Sequence, residues 1–218
     1  MTYRHHSLVI QRTARYVTNG QPDANVREVW FLCHGYGQLA EEFLRYTETL
    51  NDGTRYLVAP EGLSRFYREG TRGRIGASWM TKEDRESEIS DYVKYLDAVY
   101  AEVFQHIDRD KVKVSVLGFS QGVHTAARWI TAGELVHADS LVVWGSPIPK
   151  ELHGREGFRR LRAVDLFVAY GNQDDYIPLQ LVEEQRRQLA AHGITATEFQ
   201  FNGGHRLDKA TLRKIADR

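Results

Sequence analysis

The pentapeptide Gly118-Phe119-Ser120-Gln121-Gly122 sets a hydroxyl nucleophile between two glycines, each two residues away. Glycine at those places lets a strand and a helix approach closely across a sharp turn, with the serine hydroxyl raised above the sheet. The run Val112-Lys113-Val114-Ser115-Val116-Leu117 before it reads as a strand, and Gln121 to Ala132 after it reads as an amphipathic helix. Glycine and serine also mark ordinary turns, and it is the flanking strand and helix that favour Ser120 as a nucleophile. The start of such a helix brings a backbone N–H and the positive end of the helix dipole close to charge developing on an attacked carbonyl.

A serine hydroxyl is a poor nucleophile at neutral pH and needs a base, itself oriented by a carboxylate. In a strand–elbow–helix protein the chain order is serine, acid, histidine. Four histidines lie beyond the helix that follows Ser120: His137, His153, His192 and His205. The first three read as parts of helices, helix ends or a polar loop. His205 follows a strand and the turn Asn202-Gly203-Gly204, from which a side chain can reach over the sheet edge. For the acid, the loop Gly171-Asn172-Gln173-Asp174-Asp175-Tyr176-Ile177-Pro178 leaves the strand before it and offers Asp174 or Asp175. An adjacent aspartate pair before a helix also serves as cap or turn former, so the two residues can divide these roles.

An oxyanion needs preorganised N–H donors, one after the nucleophile and one on an early loop. The turn His34-Gly35-Tyr36-Gly37 supplies the second, which assigns the donors to the backbones of Gln121 and Tyr36. Losing one such donor costs about 3–4 kcal/mol of transition-state stabilisation. His34 is read as a brace for that loop. Of the aromatic residues expected near this edge, Trp79, Trp144, Tyr176 and Phe66 are the candidates to line a substrate pocket. Arg65, Arg68, Arg72 and Arg74 crowd the same region and read first as a solvated charged loop, second as attraction for a substrate carboxylate or phosphate.

These side chains must be held by a sheet. Short apolar runs at Val29–Cys33, Tyr56–Ala59, Val112–Leu117, Ser140–Trp144, Val164–Tyr170 and Thr195–Phe201 read as strands, several of them apolar at successive positions as strands buried on both faces are. Helical periodicity falls between them, at Glu41–Leu50, Lys82–His106, Gln121–Ala132, Leu179–His192 and from His205 to the end. This alternation predicts an α/β protein with a mostly parallel central sheet and helices on both faces. Ser7–Val17 would add one or two antiparallel edge strands, and the Gly- and Arg-rich segment from Pro60 to Met80 reads as a long irregular loop on the substrate rim.

At 218 residues, with 42% hydrophobic and 27% charged side chains, the chain is expected to form one domain over residues 1–218. Twenty-nine basic residues balance 29 acidic ones, which argues against a nucleic-acid partner. Cys33 is the only cysteine, so an intramolecular disulfide and an all-cysteine metal site are excluded. Without a membrane-length apolar run or a signal-peptide core, the expectation is a cytoplasmic protein that is not an integral membrane protein. Exposed apolar rim residues would suit either a lipid-like substrate or a homodimer contact.

Taken together, these residues resemble the phospholipase/carboxylesterase family of α/β-hydrolases, which includes acyl-protein thioesterases and small bacterial carboxylesterases. The resemblance runs in order through Leu32-Cys33-His34-Gly35-Tyr36-Gly37, Ala59-Pro60, Gly76-Ala77-Ser78-Trp79, the Ser120 elbow, Gly145-Ser146-Pro147-Ile148-Pro149, Gly171 to Pro178, and Gly204-His205. It implies an α/β-hydrolase fold without a separate cap domain, and hydrolysis of a small-molecule or lipid-like ester by Ser120, Asp174 and His205. No metal or organic cofactor is implied. In the family the loop aspartate is followed at the third and fourth positions by an aliphatic residue and proline, which selects Asp174 through Ile177 and Pro178. Gln38-Leu39-Ala40 stands where the family commonly has an aspartate, and Tyr170 where it often has histidine. A thioesterase or acyltransferase would use the same three residues, and a binding protein on the same fold is the alternative outside enzymology.

Overall fold

The computed structural model describes residues 2–153 and 155–218. Its strands are β1 (Tyr16–Asn19), β2 (Glu28–Cys33), β3 (Arg55–Pro60), β4 (Ser64–Glu69), β5 (Arg72–Ser78), β6 (Lys113–Phe119), β7 (Ser140–Trp144), β8 (Asp165–Gly171) and β9 (Ala196–Phe201). Its helices are α1 (Ala40–Thr47), α2 (Arg85–Val103), α3 (Gln121–Ala132), α4 (Arg155–Leu161), α5 (Leu179–Ala191) and α6 (Lys209–Ala216). Seven strands make one sheet in the order β1-β3-β2-β6-β7-β8-β9, parallel except for β1, while β4 and β5 pair as a separate antiparallel hairpin.

The all-apolar strands take this form because both faces of the sheet are covered. Along β2, Val29, Phe31 and Cys33 enter the core on one side, with α2, α3, α4 and α5. Trp30 and Leu32 enter the core on the other side, with α1 and α6. Phe31 packs between Tyr100 and Trp129, with ring centroids 5.6 and 5.2 Å away, and each such buried side chain contributes about 1.5–3 kcal/mol. Strand order reverses at β2, which has β3 on one side and β6 on the other, and the loops leaving β2 and β6 diverge there at the C-terminal edge. Open α/β sheets bind ligands in such a crevice.

Three expected elements are corrected, and one helix was not expected. Only Tyr16–Asn19 of the N-terminal segment is strand: Tyr16 already faces Pro60, the last residue of β3, and the next bond outward, from the Glu61 N–H to the Arg15 carbonyl at 3.2 Å, lies past the end of that strand. The Pro60–Met80 segment is the β4–β5 hairpin rather than irregular chain, with Ser64, Phe66 and Arg68 turned inward. Its period was hidden because one inward position is an arginine, neutralised by Glu42 at 2.5 Å. The last helix starts at Lys209 rather than His205, since Asp208 caps it by accepting from the Thr211 N–H at 2.9 Å. Helix α4, seven residues long with Gly157 inside, was not expected at all.

Candidate active site

Ser120 sits between β6 and α3 with φ 54° and ψ −119°. Among the described residues only Asp84 and Ser120 have positive φ without being glycine, and Asp84 is in the ordinary left-handed well at φ 47° and ψ 39°. Ser120 lies outside that well, a conformation costing about 1–3 kcal/mol that persists only where its surroundings enforce it. They do so here: its N–H donates to the Trp144 carbonyl at the end of β7 at 2.9 Å. A Cβ on Gly118 would lie 2.4 Å from the Gly122 carbonyl, and one on Gly122 would lie 2.0 Å from the Cys33 carbonyl. No side chain larger than hydrogen fits at either place, so the helix start is pressed directly on the end of β2.

His205 and Asp174 meet above the same edge. Asp174 is nearly fully buried and uses both carboxylate oxygens, Oδ2 toward His205 Nδ1 at 2.8 Å and Oδ1 accepting from the Tyr176 N–H at 2.9 Å. Asp175 points to solvent. The two loops are stitched together by backbone: the Gln173 N–H donates to the Gly203 carbonyl at 2.9 Å, and a Cβ on Gly171 would meet that carbonyl at 2.1 Å. The imidazole is held between the rings of Phe119 and Tyr176, at centroid separations of 4.9 and 4.8 Å, and its Cε1 lies 3.1 Å from where a Gly145 Cβ would be. With Nδ1 committed to a carboxylate, Nε2 keeps the lone pair that can take a proton. His137 and His192 lie on loops entering β7 and β9, at the opposite edge of the sheet. The side chain of His153 lies outside those described.

The loop after β2 faces the elbow, since a Cβ on Gly35 would come within 3.0 Å of the Phe119 ring. The Gly35 N–H donates to Gln38 Oε1 at 2.8 Å and the Gly37 N–H to the Ala77 carbonyl at 2.8 Å. The Tyr36 N–H between them has no acceptor among the described residues, nor has the Gln121 N–H at the first position of α3. Two free donors beside a strained serine are what an oxyanion requires. His34 braces this loop, fully buried, with Nδ1 bonded to the Gly35 carbonyl at 2.8 Å and Nε2 accepting from the Gly62 N–H at 2.9 Å. Burial pulls its pKa down to about 4, so the ring is neutral. Burial likewise raises the Cys33 thiol far above its usual range, which leaves it inert.

The expected rim divides. Trp79 and Trp144 are not pocket residues: each is 1% exposed, with its indole N–H donating to the His34 carbonyl at 2.8 Å and to the Arg206 carbonyl at 2.9 Å respectively. A ring that large next to a strand end is more stable in the core once its N–H has a partner. Tyr176 is 75% exposed beside His205, and Phe66 stacks on Tyr36 at 5.0 Å. Arg65 and Arg68 are occupied with Glu61 and Glu42, whereas Arg72 and Arg74 have no ion pair among the described residues. No group of three or more His, Cys, Asp and Glu side chains among the described residues is placed to hold a metal ion.

Residues 17–218 match the model of the phospholipase/carboxylesterase family. The chain belongs to this family. Its fold is that of maize acyl-protein thioesterase 2 (TM-score 0.70, 17% identity, 94% of this chain and 97% of that one). A Bacillus cereus carboxylesterase (0.66, 19%, 94% and 92%) and a phospholipase/carboxylesterase from Dyadobacter fermentans (0.64, 14%, 96% and 97%) share it. No curated protein matches the sequence. As a phospholipase/carboxylesterase family member, the chain is an esterase-type hydrolase on an α/β-hydrolase fold. No described helix is long and apolar enough to cross a membrane.

Sequence reasoning gave the Gln121 side chain no partner. Its Oε1 accepts from the Trp79 N–H at 3.2 Å, and its Nε2 donates to the Met80 carbonyl at 2.9 Å. It thus latches the segment after β5 to the elbow. A polar residue directly after a nucleophile, at a helix start that needs no side-chain cap, was the available signal.

Proposed function

We propose that this protein hydrolyses carboxylic esters through Ser120, His205 and Asp174 and a covalent acyl-enzyme. The observation that carries this reading is the 2.8 Å bond between His205 and a buried Asp174, on loops stitched together at the sheet edge where Ser120 is held strained. His205 Nε2 takes the Ser120 proton as Oγ attacks the ester carbonyl, and Asp174 stabilises the imidazolium through Nδ1–H. The N–H groups of Tyr36 and Gln121 hold the oxyanion. On collapse, the proton passes from Nε2 to the departing alcohol, leaving acyl-Ser120. Water, deprotonated by the same nitrogen, then releases the acid and restores the hydroxyl. Tyr176 and Phe66 supply apolar surface at the mouth. A cytoplasmic setting fits the single, buried Cys33, and no nucleic acid is needed as a partner.

The test is Ser120→Ala. Wild type should be labelled by a fluorophosphonate probe and turn over p-nitrophenyl butyrate. The variant should lose labelling and about 10⁴–10⁶ of kcat. Turnover retained in the variant would remove Ser120 from the mechanism.

A further inference from the structure

Residues 1–22 carry Arg4, His5, His6, Arg12 and Arg15 and no acidic residue, and Ser7-Leu8-Val9-Ile10-Gln11 lies between the histidines and Arg12. Among the described residues, 2–11 make no hydrogen bond and belong to no helix or strand. Leu8, Val9 and Ile10 are 86, 91 and 73% exposed. Three successive aliphatic residues on unpaired backbone form a template for another chain, and proteins ordinarily cover such a segment.

This arm leaves the body from fixed anchors. The Arg15 carbonyl accepts from the Tyr95 hydroxyl at 2.6 Å, the Arg15 guanidinium bonds Glu61 at 2.8 Å, and Arg12 donates to the Leu63 carbonyl. Beyond the anchors the arm forms one wall of an open groove of about 1010 Å³ whose other wall is α2. On α2, the small residues Ser87, Ser90 and Ala98 leave space there for aliphatic side chains. The charges of that wall are Asp84, Glu86, Asp91 and Glu102 against Lys94 alone. Asp84, Asp91 and Glu102 have no ion pair among the described residues, and neither have Arg4 and Arg12.

The lengths match as well as the charges. Extended chain spans about 26 Å from position 4 to position 12, and α2 with its cap spans about 27 Å from Asp84 to Glu102. Cations at the two ends of an arm therefore meet acids at the two ends of a groove. The anchored arm is the wall of its own groove and cannot also fill it. An arm from a second copy can, running antiparallel to the first, and one two-fold axis then fills both grooves in the order α2, arm, arm, α2. An anionic bilayer is a poorer occupant, because it would face the acids of α2 together with the cations of the arm.

We infer that residues 4–12 interlock between two copies of this chain, each arm lying in the other copy's groove along α2 and pairing with the arm that walls it.

The test uses the full chain. Sedimentation velocity at micromolar concentration should give twice the 25.1 kDa chain mass. Leu8→Glu/Ile10→Glu should raise the dimer dissociation constant at least about 100-fold, the scale of two aliphatic side chains removed from an interface. Asp91→Lys/Glu102→Lys should raise it about tenfold from the other wall. Both variants should still melt cooperatively. Chains with Val9→Cys mixed with chains with Lys94→Cys should be joined between positions 9 and 94 by a bis-maleimide, and the fully buried Cys33 does not compete. A dimer whose dissociation constant neither double variant moves, or one without the link between positions 9 and 94, would place the interface elsewhere and overturn the inference. A monomeric wild type would overturn it too. Co-sedimentation of that monomer with phosphatidylglycerol vesicles, lost in Leu8→Glu/Ile10→Glu, would assign the arm to a membrane instead.

Discussion

Gly122→Ala tests whether backbone contact between the elbow and β2 sets the catalytic geometry. The added Cβ would fall 2.0 Å from the Cys33 carbonyl oxygen, 2.6 Å from its carbon and 2.7 Å from the His34 carbonyl oxygen. All three are backbone atoms, so no side chain can swing aside. The start of α3 and the end of β2 must part by at least about 1 Å to bring the nearest contact to 3.0 Å, the limit for real Cβ atoms. Overpacking of this kind costs about 2 kcal/mol, hence roughly 4–8 °C in Tm for a chain of this size. The larger effect should be on rate. The shift separates the Gln121 N–H from the Tyr36 N–H and moves both relative to Ser120, and a displacement of about 1 Å is worth on the order of 10² in turnover. Because the oxyanion exists only beyond the ground state, kcat should fall with little change in KM. Gly53→Ala is the control. At φ +88° with nothing within 4 Å of its Cβ site, before β3 at the opposite sheet edge, it should lower Tm and leave kcat unchanged. If Gly122→Ala keeps a kcat within twofold of wild type, direct contact between these backbones does not position the oxyanion donors.

Asp174→Asn should lower kcat for p-nitrophenyl butyrate by about 10⁴ and Asp175→Asn by less than about twofold. Equal losses would show that the bond from His205 to Asp174 does not orient the base. Gln121→Ala keeps its backbone N–H but loses the latch on Trp79 and Met80. We expect roughly a tenfold lower kcat and faster hydrogen exchange at the Trp79 N–H, and unaltered exchange there would refute the latch. His34 is neutral when folded, with a pKa brought to about 4 from 6.5 by burial, so the unfolded chain binds the proton first as pH falls. Stability should drop as pH falls below about 6.5 and level off near 4, a total of roughly 3 kcal/mol. Between pH 7 and 4.5, urea midpoints should fall further in wild type than in His34→Gln, and parallel curves would exclude His34 as the cause.

The parallel strands were legible because β2, β6, β7 and β8 are apolar at successive positions, and burial on both faces is the one environment that allows it. Helix α3 was legible to the residue, since glycines and the change of period frame it. The hairpin was not. Arg68 occupies an inward position that alternation reserves for apolar residues, and only the position of Glu42 across space makes it tolerable there. Trp79 and Trp144 mislead for the complementary reason. Their places along the chain suggest a rim, but carbonyl acceptors on distant loops, at His34 and Arg206, let both rings turn into the core.

In the proposed mechanism, that hairpin also makes the glycine turn after β2 a fixed donor site. Gly37, with φ at +75°, donates to the Ala77 carbonyl at 2.8 Å, and Gly76 lies so close beneath it that a Cβ would meet the Gly37 carbonyl at 2.5 Å. The strand β5 therefore grips the turn from outside, while His34 fixes it from inside through Gly35 and Gly62. Gln121 closes the circuit by tying the end of β5 to the first residue of α3. The Tyr36 and Gln121 N–H groups sit on separate segments, and the backbone contacts of Gly37 with Gly76 and Ala77, together with the Gln121 side chain on Trp79 and Met80, tie the two through the hairpin. If these groups are the oxyanion donors, as proposed, their preorganisation rests on glycines, carbonyls and the supporting side chains of His34 and Gln121 rather than on the three residues of the proposed triad. Substitutions that disturb the hairpin base should consequently lower kcat without touching Ser120, His205 or Asp174.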